Sequence, residues 1–61
     1  MFRIGAFSKL TRVSVRMLRY YDTAGLLTPA VIDTFTGYRM YTTDQIPVLQ
    51  KICLLRDMGF N

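Results

Sequence analysis

The chain has 61 residues, 51% of them apolar, with 8 Lys+Arg against 4 Asp+Glu for a net charge of +4. That length suffices for one domain, and a domain so small buries only about 60% of its unfolded surface. A single cysteine, Cys53, and no histidine exclude an internal disulfide and a Cys/His zinc site, which are common supplements of small folds. No apolar run approaches the roughly 18 residues of a membrane span. The N-terminus, "MFRIGAFSKL", is broken by Arg3, Gly5 and Lys9 and lacks the continuous apolar region of a signal peptide. A soluble, cytoplasmic chain is expected.

In chain order, "MFRI" reads as a short strand. "GAFSKLTR" has Phe7 and Leu10 three apart, with Val13 three further on, a helical spacing, and this first helix is expected to end near Thr11 or Arg12. Ser14 is placed as an N-cap whose hydroxyl accepts a backbone N–H of the next turn. A second helix then runs from Val15 to about Ala24 and stops at Gly25, which tolerates the left-handed conformation. Two short helices joined by a tight turn form the helix-turn-helix pattern.

Lys9, Arg12, Arg16 and Arg19 fall in a stretch that contains no acid. Such a cluster suits a polyanion, either nucleic acid or an anionic membrane, or else a solvated face. At about 100° per residue, Val15 and Leu18 point one way, and Arg16, Met17 and Tyr20 the other. Arginine can donate twice to guanine in a major groove or reach phosphate, and a tyrosine hydroxyl bonds phosphate. Arg19 has two readings, a phosphate contact or an ion pair with Asp22 three residues on. Tyr21 is expected to pack partly in the core with its hydroxyl at the surface.

Pro29 stops any helix. "AVID" and "YRMY" flank "TFTG" and read as a β-hairpin with a loop longer than two residues. Alternation puts Tyr38 and Met40 on one face and Arg39 and Tyr41 on the other. The last segment, "TTDQIPVLQKICLLRDMGFN", reads as a third helix. Thr42 and Gln45 fit a capping box, Asp44 suits the positive helix end, and Pro47 is tolerated in the first turn. Ile46, Leu49, Ile52 and Cys53 form its apolar stripe, with Gly59 as C-cap and Phe60 packing back. The expected core is Phe7, Leu10, Val15, Leu18, Leu26, Leu49 and Ile52.

Taken together, "RIGAFSKLTRVSVRMLRYYDTAGLLTPA", "GYRMY" and "LQKICLLRDMGF" resemble the N-terminal DNA-binding domain of MerR-type transcription regulators, over essentially the whole chain. The resemblance implies an α+β, mostly helical winged helix-turn-helix. Its parts are a short N-terminal strand, two helices, a hairpin wing over 30–41 and a third helix, forming one domain over 1–61. By motif position it marks Arg16, Arg19, Tyr20 and Tyr21 as recognition-helix residues and Tyr38 and Arg39 as wing residues; Ser14 and Met17 complete the expected DNA-binding set. It also implies double-stranded promoter DNA as partner, a homodimer in the full-length protein, and indirect action on RNA polymerase.

Two positions depart from the family pattern. Arg12 stands in the turn where many members have glycine, and Met17 is larger than the small polar residue common at its place. Asn61 would cap a further helix, so the dimerisation helix and effector-binding region are expected beyond it, with the 61 residues alone monomeric and weak on an operator.

The chain carries no histidine, glutamate, nucleotide-binding glycine motif or nucleophile–base pair, so no enzyme, cofactor or metal is expected. Cys53 is read as a core residue. Two other readings compete: an excisionase-like architectural DNA-bending protein, and a cationic membrane-surface peptide, against which the spread aspartates and the hairpin argue.

Overall fold

The computed structural model describes residues 1–57. The expectations for Met58, Gly59, Phe60 and Asn61 lie outside the described residues. Strand β1 (Phe2–Arg3) leads directly into helix α1 (Ile4–Thr11), followed by α2 (Val15–Thr23), the hairpin strands β2 (Val31–Ile32) and β3 (Arg39–Tyr41), a 3-10 turn (Thr43–Gln45) and α3 (Ile46–Asp57). The sheet is antiparallel in the order β1-β3-β2, with Phe2 opposite Tyr41, Arg3 opposite Met40, and Val31 opposite Met40.

Local chemistry accounts for most boundaries. Arg12 ends α1 in the left-handed region at φ 60° and ψ 28°. The Ser14 side chain accepts from the Met17 amide at 3.1 Å and starts α2. Behind α2, Gly25 takes φ 75°; its amide bonds the Asp22 carbonyl at 3.0 Å and the Leu26 amide bonds the Tyr21 carbonyl at 2.8 Å. That pair of reversed bonds is a Schellman ending. The Gln45 side chain accepts from the Thr42 amide at 3.0 Å, and Pro47 falls in the first turn of α3, where its missing N–H costs nothing.

The core is Phe7, Leu18, Tyr21, Leu27, Tyr41 and Leu49. The Phe7 and Tyr41 rings stack at 4.7 Å between centroids, joining α1 to the sheet. Three expectations are corrected. Leu10 is 51% exposed, because the buried stripe of α1 runs through Ile4, Phe7 and Thr11 rather than through Phe7, Leu10 and Val13. Leu26 is 53% exposed, since the left-handed Gly25 turns the chain so that Leu27 meets the core instead. Val15 and Ile52 are half-buried rather than central, and Cys53 packs beside Ile52 at the core's edge.

Candidate nucleic-acid interface

The burial of Leu18 and Tyr21 orients α2. With these two at the centre of the inward side, Arg16, Arg19, Tyr20 and Thr23 occupy the outward side, and all four are exposed. Arg16 and Arg19 have no ion-pair partner among the described residues. Tyr20 stands 60% exposed, its ring 5.9 Å from that of Tyr21.

The hairpin is built to be stiff. Asp33 Oδ1 accepts from the amides of Phe35 at 2.8 Å and Thr36 at 3.3 Å, and the Gly37 amide bonds the Asp33 carbonyl at 2.8 Å. Gly37 has φ 74°, a conformation that a side chain would strain. Tyr38 therefore leaves the loop in a fixed direction. Arg3, opposite Met40 on the neighbouring strand, lies diagonal to Tyr38, and its guanidinium sits 3.7 Å from the ring centroid.

Between α1, α2 and the hairpin lies an open cleft of about 610 Å³. Arg3, Lys9, Arg19 and Arg39 line it together with Tyr38 and Gly37, and no acid does. The first turn of α1 forms another wall. Its N-cap, Arg3, makes no side-chain capping bond and its first turn holds no acid, so the amides there are left for an anion. Four cations and the positive end of a helix converge on one opening.

The structure thus brings Arg19, Tyr38 and Arg39 together and keeps Arg16 and Tyr20 on the adjoining helix face. It sorts the remaining expected residues differently. Ser14 caps α2. Met17 is half-buried, not outward, and lines an apolar groove against α3 with Tyr20, Tyr21 and Leu26. Tyr21 is 2% exposed, and its hydroxyl accepts from Arg56 Nη1 at 3.3 Å, so it supports the helix from inside. Burial pushes its phenol up from the ordinary value, more than the Arg56 guanidinium draws it down.

Arg39 is not a free wing arginine. Its Nε donates to Asp22 Oδ2 at 2.9 Å, so Asp22 pairs with the wing and not with Arg19 along its own helix. Arg3, Lys9 and Asp22 were outside the expected contact set. Lys9 was visible as charge, but the placement of Arg3 and Asp22 depends on strand pairing and on contacts across 17 residues.

A family model for the MerR HTH family regulatory protein matches residues 2–61. The chain belongs to that family. It is 45% identical over 58 residues to the multidrug-efflux transporter 1 regulator of Bacillus subtilis, covering 95% of this chain and 21% of that protein. It is 43% identical to the HTH-type transcriptional regulator HmrR of Sinorhizobium medicae, covering 95% of this chain and 39% of that one. Among solved structures, it superposes with a TM-score of 0.93 and 47% identity on the regulator in a cryo-EM structure of an EcmrR–DNA complex in EcmrR-RPo, covering 98% of this chain and 22% of that chain. The MtaN N-terminus of the Bacillus subtilis multidrug transporter activator gives a TM-score of 0.88 at 31% identity, covering all of this chain and 57% of that chain. The fold is therefore a MerR-type winged helix-turn-helix DNA-binding domain. The chain spans 21% to 40% of the length of the curated relatives it matches.

Proposed function

We propose that the chain binds double-stranded promoter DNA, with the Arg16–Tyr20 face of α2 in the major groove and the cleft beside it holding the sugar-phosphate backbone. One observation carries this reading: the solvent-facing side of α2 adjoins a cleft lined by four cations and no acid. Arg16 then reads base edges, Arg19 and Arg39 meet phosphate, and Tyr20 and Tyr38 offer hydroxyls to phosphate oxygens. Ser14 and Met17 serve the interface by starting and seating the helix. The relatives are named as transcriptional regulators, and EcmrR is bound to DNA in its structure, which supports a regulatory role for the protein that carries this domain. In that setting two copies bind a two-fold symmetric site and act on RNA polymerase through the DNA, as a non-enzymatic cytoplasmic regulator.

The test is fluorescence anisotropy of the chain on duplex DNA across a salt series. Binding should weaken as a power of salt concentration, with an exponent of about 0.9 per phosphate contact. Arg16→Ala should cost about 1–3 kcal/mol on a cognate site and much less on mixed sequence. Salt-independent binding, or equal loss on all sequences, would show that the face is wrongly assigned.

A further inference from the structure

We infer that Asp22 is a positioning residue for DNA binding: it holds the Arg39 guanidinium by Nε so that the Nη groups stay turned into the cleft. The inference rests on the reading of that cleft as a phosphate site. Asp22 Oδ2 takes the single Nε–H of Arg39 at 2.9 Å. Four N–H bonds on the two Nη atoms remain, the fork that matches a phosphate. Arg39 lines the cleft, whereas Asp22 does not, so the carboxylate stands behind the arginine and not in the path of an anion. The side chains of the pair are only 37% and 21% exposed, a setting in which an ion pair is held more firmly than on open surface. The partners come from α2 and β3, so the same bond ties the wing to the recognition helix.

The sign of one substitution separates this role from simple electrostatics. Removing an acid beside a polyanion should tighten binding; removing a positioning acid should weaken it. The experiment measures anisotropy of the chain on a short mixed-sequence duplex over a salt series, with circular dichroism as the check on folding. Asp22→Asn is expected to lower affinity about three- to tenfold and to flatten the salt slope by about 0.9, because one phosphate contact is lost. In an Arg39→Ala background the same change should leave affinity equal or higher. Asp22→Ser, which also removes the carboxylate, should lower affinity and flatten the slope in the same way, and this carries the test if Asp22→Asn does not fold. Binding by either variant that is as tight as the parent or tighter overturns the inference, as does weaker binding with an unchanged slope. A parent chain that fails to bind the duplex at low salt removes the DNA reading itself.

Discussion

The two flanks of α2 differ in residue type and in what they face. Toward α3 lie Met17 and Tyr21, with Leu18 beneath, against Leu49 and Ile52; toward the wing lie Arg19 and Asp22. Each flank has an arginine bonded to an oxygen of α2: Arg56 reaches the Tyr21 hydroxyl on one side, and Arg39 reaches the Asp22 carboxylate on the other. The α3 flank is apolar and its polar tip closes inward, so its free energy goes into folding. The wing flank leaves Arg3, Lys9 and Arg19 without an acidic partner among the described residues, which leaves charge for a polyanion. One nine-residue helix thus presents core on one side and an exposed face beside the cation-lined cleft on the other, and substitutions should divide along the same line.

The largest expected effect breaks the folding side. Leu18 is fully buried, and Leu18→Ala should cost about 2–5 kcal/mol. Folds of this size rarely hold more than about 3–5 kcal/mol, so the variant should be largely unfolded at 25 °C by circular dichroism. A cooperative transition within about 1 kcal/mol of the parent would mean that α2 is not anchored through this residue.

How much of this division was legible in the sequence depends on how far apart the partners are. Ser14 as a cap and Gly25 as a stop act within a few residues and mark the ends of α2 correctly; the Thr42–Gln45 box also forms, but it opens a 3-10 turn that precedes α3 and not α3 itself. Alternation also paired Arg39 with Tyr41 on one face of β3. It could not tell which face was inside, because that is set by Phe2 lying opposite Tyr41 and by the Phe7 ring stacked on it. The wing buries Tyr41 and clips Arg39 to α2. On α2, Leu18 and Tyr21 are buried as expected, whereas Val15 is only half-buried, because α3 gives Tyr21 the surface to pack against. Of the proposed contact set, Arg16, Arg19 and Tyr20 are legible from one helix, whereas the cleft needs three elements.

A second prediction sharpens the boundary between the flanks. Tyr41 is fully buried beside the wing-side ion pair, and its hydroxyl has no hydrogen-bond partner among the described residues. An unpaired buried hydroxyl costs stability, so Tyr41→Phe should be neutral or stabilising by up to about 1 kcal/mol at pH 7. Burial, reinforced by the nearby Asp22 carboxylate, raises its phenol above the ordinary value. A group whose folded value is raised gives full stability below its unfolded value, here about 10, and loses it as pH climbs toward the folded value. The parent should therefore lose stability above about pH 10, and Tyr41→Phe should lose less over the same range, with Tyr21 still contributing. Urea midpoints at neutral and alkaline pH measure both; identical alkaline losses would sink the account.

An effect of comparable size lies in the turn that leads into α2. Arg12 is the one non-glycine residue with positive φ among the described residues, and a side chain there costs roughly 1–2 kcal/mol. Glycine would relieve that strain but would add freedom to the unfolded chain, worth about 0.4–1 kcal/mol in the other direction. Arg12→Gly should therefore raise stability by only about 0.5–1 kcal/mol, seen as about 2–8 °C in Tm. Arg12 is exposed and lies outside the cleft lining, so its loss should weaken duplex binding less than that of Arg39. A rise in Tm with a modest loss of affinity would show that a strained cation is kept in the turn for charge and not for the fold. A fall in Tm would show that the left-handed turn is set by its neighbours, with Ser8 Oγ bonded to the Val13 carbonyl at 2.6 Å as the first suspect.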